Sequence, residues 1–227
     1  MKIAAFVTSH SHNGNVATAA KELLRGAAEA GAETEIYYIN DYDIKPCVGC
    51  RVCEKTDKCV IKGDDMPKLH EALIECDAYV LGTPTFYGDI PGSFKTFVDR
   101  VYPFVAIGKD PVTKTMTFGS NMPRRKPGVQ ICVSGNHGAK VFDSHLKVGY
   151  FCFNDLNAYP WEEILIPNTS WVAVKDNDEK LQELYDKGRR LVEHLKNNEP
   201  EDKERTKAFY DHFRLLEDVT LPCFEEK

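Results

Sequence analysis

The sequence predicts a doubly wound α/β fold, a parallel sheet with helices on both faces. Two observations carry this. Short apolar runs alternate with amphipathic stretches of helical spacing at least four times, the pattern of strands joined by helical crossovers. The 227 residues, 42% of them hydrophobic, suit one large domain or a domain with an appendage, with enough apolar surface for a real core.

The elements follow in order. Lys2 to Thr8 is an apolar run ended by a polar loop and reads as a buried strand. Val16, Ala19, Ala20, Leu23, Leu24 and Ala27 then recur at helical spacing, with Gly31 suited to the position just past the helix. Glu33 to Ile39 reads as the second strand, and a cysteine-rich loop, residues 46–63, follows it. Asp64 suits the N-cap of a helix running to Cys76, with Pro67 in its first turn. Ala78 to Thr83 is the third strand, ended by Pro84. Pro91 to Phe104 reads as a helix with Phe94, Phe97, Val98 and Val101 on one face. Gly108 to Pro127 is of mixed polarity and reads as an inserted loop or lid. Gly128 to Ser134 is the fourth strand, Val141 to Leu156 a helix, and Glu162 to Asn168 the fifth strand. Leu181, Leu184, Leu191 and Leu195 mark the stripe of an amphipathic helix that ends near Asn198. Residues 1–198 are thus expected to form the main domain, and 199–227 a C-terminal extension with a helix from Lys203 to Val219.

Several function classes are excluded. A formal charge of −6 and a pI near 5.7 argue against a nucleic-acid binder. No window reaches about 18 consecutive apolar residues, so no membrane span is expected. The opening apolar run is too short for a signal peptide, and the reading is an unprocessed cytoplasmic protein. In a reducing compartment, clustered cysteines bind metal or do redox chemistry more often than they pair. Cys76, Cys132 and Cys152, in contrast, read as small buried core residues.

Ligands of such sheets sit at the carboxyl ends of strands, which singles out the loops after strands one, three and four. Thr8 to Val16 carries hydroxyls, amides and a glycine into a helix start, a ready anion site. It matches neither the dinucleotide fingerprint nor the P-loop. An ordinary capped turn with Asn15 as N-cap fits equally. Gly82 to Arg100 sets Phe86, Tyr87 and Gly88 ahead of a helix, where exposed peptide groups beside an aromatic pair suit a flat heteroaromatic ring. Ser134 to Lys140 offers a second flexible backbone edge, where His137 either meets a ring or caps the next helix.

Cys47, Cys50, Cys53 and Cys59 are spaced C-x2-C-x2-C-x5-C. The first three bring thiolates toward one point and the fourth closes a tetrahedral set, which suits a [4Fe–4S] cluster. Structural zinc more often uses two separate C-x2-C knuckles, and here the pairs share Cys50. A metal-free loop or redox-active thiols are the third reading. Lys45, Arg51, Lys55 and Lys58 either offset thiolate charge or form a solvated basic face.

These motifs together resemble the flavodoxin-like NADPH-dependent FMN reductase superfamily, and within it the iron–sulfur flavoprotein branch. The match runs from Met1 to about Ser134 and more loosely to Asn198. The resemblance implies a five-stranded sheet in the order 2-1-3-4-5, FMN at the strand ends, and homodimers or homotetramers in which each flavin lies near a partner subunit. It implies that Ser9, Ser11, Asn13, Asn15 and the Val16 amide hold the FMN phosphate. Pro84, Thr85, Phe86, Tyr87 and Gly88 would contact the ribityl chain and ring, and Ser134, Gly135 and His137 would edge the isoalloxazine. Cys59 would ligate the same cluster as the other three. The family's phosphate loop often carries Pro, Arg and Thr where this chain has His10, Ser11 and Val16, so one cation and one hydroxyl are missing.

The leading expectation is therefore a redox flavoprotein in which FMN and a cluster pass electrons to or from a carrier such as ferredoxin. No side chain is expected to act as acid or base, and Tyr87 shapes the ring pocket. The second expectation is a cluster-free NAD(P)H-dependent reductase of FMN or quinones, with Pro123 to Pro127 ("PRRKP") meeting the NADPH 2′-phosphate, an acidic ferredoxin or only solvent. The third is a zinc- or thiol-based sensor or scaffold, for which Phe209, Phe213, Leu215 and Leu216 would offer an apolar face. Packing of that face on its own domain or a sister subunit is the milder reading.

Overall fold

The computed structural model describes residues 1–110, 112 and 116–212. Along the chain run β1 (Lys2–Val7), α1 (Asn15–Glu29), β2 (Glu33–Tyr38), α2 (Cys53–Thr56), α3 (Met66–Glu75), β3 (Ala78–Pro84) and α4 (Gly92–Asp99). There follow β4 (Val105–Lys109), β5 (Met116–Ser120), β6 (Lys126–Val133), α5 (Asp143–Asp155), β7 (Ala158–Ile166), α6 (Asp178–Lys196) and α7 (Lys203–His212). Five strands form one sheet in the order β2-β1-β3-β6-β7, with every neighbour parallel. With the β4–β5 hairpin set aside, this is the flavodoxin-like order 2-1-3-4-5.

The alternation within β1 shows how the layers form. Successive side chains of a strand point to opposite faces. Ile3, Ala5 and Val7 enter a core with Leu23, Leu184 and Leu191 of α1 and α6. Ala4 and Phe6 enter a second core with Leu69, Phe97 and Phe153 of α3, α4 and α5. Helices α1 and α6 meet backbone to backbone. A Cβ on Gly26 would lie 2.0 Å from the Tyr185 carbonyl oxygen, and one on Gly188 would lie 1.9 Å from that of Leu23. Only glycine fits at either place.

Four expectations are corrected. The stretch read as an inserted loop or lid holds the antiparallel hairpin β4–β5, with Val105 opposite Ser120 and Lys109 opposite Met116. It packs beside α2 and the end of α5, where Ser120 Oγ donates to the Asp155 carbonyl at 2.6 Å, so it does not cover the strand-end loops. The N-cap of α3 is Asp65, without a side-chain cap bond, because the Asp64 carboxylate turns inward to Arg100. The helix expected from Pro91 to Phe104 stops at Asp99, since Pro103 forces a short 3-10 turn. The outermost strand begins at Ala158, four residues before the expected start.

Helix α7 lies against β7, with Arg205 paired to Glu163 at 2.5 Å and Thr206 fully buried. Phe213, Leu215, Leu216 and Cys223 lie outside the described residues. No helix among the described residues is long and apolar enough to cross a membrane.

Candidate functional site

The carboxyl ends of β1, β3, β6 and β7 surround a cavity of about 340 Å³. It is lined by Ser9, Asn15, Val16, Pro84, Thr85, Val133, Gly135, Thr169 and Ser170. The sequence predicted six of these: Ser9, Asn15, Val16, Pro84, Thr85 and Gly135. Ser11, Asn13, Phe86, Tyr87, Gly88, Ser134 and His137 do not line it.

The loop after β1 is pinned at both ends. Thr8 N–H donates to the Gly82 carbonyl at 2.9 Å, and Asn40 Nδ2 donates to the Thr8 carbonyl at 3.0 Å. Ser11 N–H donates to Ser9 Oγ at 3.2 Å, and Gly14 N–H to the Ser11 carbonyl at 3.2 Å. Gly14, not Asn15, is the N-cap of α1, and it brings no side-chain cap. The first amides of α1 therefore keep their donors for a ligand. Asn15 is turned partly to structure, its Oδ1 accepting the Val174 N–H at 2.9 Å. Lys21, one and a half turns into α1, brings Nζ to 2.7 Å from the His12 carbonyl and 3.3 Å from Asn13 Oδ1. That is a cation beside a loop that has none of its own. His12 pairs with Asp41 at 3.0 Å and stacks on Tyr38, which holds the outer rim.

The loop after β3 is anchored by Thr85 N–H, which donates to the Val133 carbonyl at 2.8 Å. His145 on α5 was not foreseen. It is fully buried, with Nε2 at 3.2 Å from both the Pro84 carbonyl and Thr85 Oγ1. Burial holds its pKa below the ordinary value, so the neutral ring supports the turn from beneath. Phe86 and Asp89 then exchange backbone hydrogen bonds at 2.8 and 3.1 Å across a two-residue turn. Tyr87 and Gly88 have φ of 52° and 78° there, the left-handed pair of a primed turn. A tyrosine at positive φ is costly, and this one leaves its ring wholly exposed at the sheet's edge.

The loops after β6 and β7 close the cavity. The Ser134 carbonyl accepts from Thr169 N–H at 3.0 Å and from Thr169 Oγ1 at 3.1 Å. Ser170 sits so close to Gly135 that a Cβ on the glycine would lie 2.4 Å from its Oγ. Thr169 and Ser170 could have been found by extending the strand-end rule to the fifth strand. His137 is exposed, and Gly138, not His137, precedes the 3-10 turn that leads into α5.

The cysteine loop forms a separate site that shares no lining residue with the first. Cys47, Cys50, Cys53 and Cys59 are all free thiols, and all four line one cavity of about 590 Å³ with Val98, Tyr102 and Phe151 among its walls. Gly49, Arg51 and Asp57 at φ of 65°, 57° and 53° wind the loop around it. The spacing predicted that the four thiols come together, and all four line this one cavity. Among the described residues no three His, Cys, Asp or Glu side chains converge to hold a single metal ion. Burial, and then the nearby Cys59, Cys47 and Cys50, push the Cys53 thiol up. Lys45, Arg51, Lys55 and Lys58 are exposed, and Arg51 is taken by Glu54 at 2.5 Å.

The "PRRKP" stretch lies at the opposite edge of the sheet. Arg124 pairs with Asp77 at 2.7 Å and Arg125 with Glu201 at 2.5 Å, and Lys126 is buried as the first residue of β6. Lys126 Nζ donates to the Leu73 and Ile74 carbonyls at 3.0 Å each, neutralising the end of α3. Arg124 and Arg125 are thus paired with carboxylates and Lys126 is buried, at the strand ends opposite the loops that line the first cavity.

Comparison with known proteins agrees with this architecture. The model of the NADPH-dependent FMN reductase family matches residues 1–169. An iron–sulfur flavoprotein of Methanocaldococcus jannaschii is 33% identical over 152 residues, which cover 66% of this chain and 76% of that one. A second iron–sulfur flavoprotein of the same organism is 28% identical over 175 residues, covering 74% and 84%. Among solved structures, an NAD(P)H:quinone oxidoreductase from Methanothermobacter marburgensis superposes with a TM-score of 0.63 at 14% identity. That match covers 84% of this chain and 98% of the other and speaks for the shared fold. A parallel sheet in this order, a donor-lined cavity at its carboxyl edge and these relatives lead to one assignment: the chain belongs to the iron–sulfur flavoprotein branch of the NADPH-dependent FMN reductase family and is a flavin-dependent oxidoreductase.

Proposed function

We propose that this chain binds FMN at the carboxyl edge of the sheet and a [4Fe–4S] cluster on Cys47, Cys50, Cys53 and Cys59, and passes electrons between them and an external carrier. The observation that carries the reading is the ring of four free thiols around one cavity. A cluster offers one iron to each thiolate, so four thiols lining one cavity without three of them placed for a single ion suit a cluster better than zinc.

The residues of the first cavity fit FMN. The uncapped start of α1 and the Ser9 hydroxyl supply donors for a phosphate dianion, and Lys21 supplies the positive charge that the loop lacks. Ser11 and Asn13 complete that loop, with Asn15 and the Val16 amide at its inner end. Thr85, Gly135, Thr169 and Ser170 give polar contacts along the cavity toward the ring end. Phe86, Tyr87 and Gly88 form the turn that bounds the ring, and Ser134 and His137 belong to the facing edge. FMN supplies the exchange between two-electron and one-electron chemistry, and the cluster supplies single-electron transfer. The protein's share is binding, orientation and exclusion of water.

The electron donor is ferredoxin or NAD(P)H. The two cavities share no residue within one chain, and a homodimer or homotetramer would let the cysteine site of one subunit approach the flavin edge of another. The test is anaerobic purification followed by an absorption spectrum, with iron, zinc and flavin assays on one sample. A flavin band over a broad brown shoulder, with about four irons per chain, is expected. Flavin without iron moves the reading to a cluster-free NAD(P)H-dependent reductase. Zinc without flavin moves it to a sensor or scaffold.

A further inference from the structure

We propose that Arg100, held by Asp64, is the positioning residue for the Cys59 corner of the cysteine site and the cation that stabilises extra negative charge there. The inference rests on the cluster reading above.

Arg100 is fully buried, 1% exposed, and its partner Asp64 has a wholly buried side chain. A buried ion pair is a poor device for stability, since well-packed apolar residues do as well or better. Its connections suggest another purpose. Arg100 Nη1 donates to Asp64 Oδ2 at 2.5 Å and to the Lys45 carbonyl at 2.6 Å. Lys45 precedes Cys47 by two residues and Asp64 follows Cys59 by five, so one guanidinium ties both ends of the cysteine loop. Lys45 N–H to Asp64 Oδ2 at 3.2 Å and Lys45 Nζ to the Lys62 carbonyl at 2.8 Å close the same neck. His70 Nε2 holds the Arg100 carbonyl at 2.8 Å, which fixes the residue from its backbone side.

One donor remains. Arg100 Nε is buried without a hydrogen-bond partner, and Cys59 is near enough to act on the guanidinium charge alongside Asp64. A thiolate at Cys59 would complete the set with a charge-assisted contact. Cys59 is also the ligand most in need of positioning. Cys47, Cys50 and Cys53 follow one another at a constant gap, whereas Cys59 comes after a turn at Asp57 and belongs to no helix or strand. Hydrogen bonds and positive charge at cluster sulfurs favour the reduced, more negative state.

The test compares wild type with Arg100→Lys, Arg100→Gln and Asp64→Asn, each loaded anaerobically with ferrous iron and sulfide. Dithionite supplies one electron per cluster, and the paramagnetic signal of the reduced cluster is followed against potential. Arg100→Gln removes the cation and is expected to lower the reduced-to-oxidised ratio about tenfold at fixed potential, a shift of about 59 mV downward for one electron. Asp64→Asn leaves the cation uncompensated and is expected to shift the ratio upward. Arg100→Lys keeps the charge, so its potential stays near wild type, but its iron content falls because an ammonium does not span Lys45 and Asp64. A purely structural role would move both charge variants in the same direction. Shifts of one sign, or an unmoved potential in loaded variants, overturn the proposal. Should Arg100→Gln fail to fold, the sign from Asp64→Asn and the iron content of Arg100→Lys decide. A loaded wild type with unmoved variants overturns this inference alone, and a wild type that takes up no iron overturns the cluster reading with it.

Discussion

The two cavities are built in opposite ways. The strand-edge cavity is held by the sheet: the Thr8, Thr85 and Ser134 amides each bond to a neighbouring strand's end, so its walls inherit the rigidity of the core. The cysteine cavity has no strand beneath its loop. Residues 42–52 carry no regular structure, α2 is a single turn, and the loop is closed by a buried ion pair at its neck. A site on a regular scaffold loses function in steps, because many backbone bonds share the load. A site on a loop closed at one neck is expected to lose it all at once.

That contrast can be broken by a double dissociation. Cys53→Ser is expected to reduce iron from about four per chain to near none while flavin content stays at wild type. Iron and flavin assays on one sample check it. Gly135→Ala should do the converse. Its Cβ would displace the Ser170 hydroxyl, and FMN affinity should fall about tenfold, or about 1.4 kcal/mol, with iron unchanged. Fluorescence titration of the apoprotein reads this. A variant that lowers both cofactors would show that the two sites are coupled.

A smaller effect sharpens the contrast. Lys21→Met removes an exposed cation, so FMN should bind about threefold more weakly at low salt, with the difference vanishing as salt rises. The smallest concerns the support beneath Thr85. Burial keeps the His145 pKa below its unfolded value near 6.5, so unfolding takes up a proton as pH falls through that window. The stability that His145 contributes is full above about pH 6.5 and is lost as pH falls toward its folded pKa. His145→Gln should therefore flatten the rise of stability with pH across this range, by less than about 1.4 kcal/mol per pH unit. Denaturant titrations at pH 5, 6 and 7 compare the slopes, and parallel slopes would show that the imidazole does not titrate on unfolding.

Much of the site was legible because it sits where regular elements end. Local periodicity marked the strand ends and helix starts that carry Ser9, Asn15, Val16, Pro84, Thr85 and Gly135, and the family resemblance named these residues within those loops. Thr169 and Ser170 were missed because the rule was not carried to the last strand. Tyr87 was placed correctly on a turn, but its positive φ and full exposure come from the backbone exchange between Phe86 and Asp89. The role of the "PRRKP" stretch stayed open in the sequence because the partners of its cations are far away along the chain. Asp77 lies 47 residues from Arg124, and Glu201 lies 76 from Arg125.

By itself the sequence determined the alternation of the five sheet strands with helices and the cysteine spacing, since each depends on residues a few positions apart. Tertiary structure alone decided which donors reach a cavity, which cations are spent on partners, and that Arg100 meets Asp64 at the neck of the cysteine loop. Asp64 and Arg100 are 36 residues apart with two helices and a strand between them, and no periodicity links them. Their meeting follows from α3 and α4 packing on one face of the sheet. Side-chain pairing across elements is a property of the packed core, where the cost of burying a charge must be met by whatever partner the fold brings near.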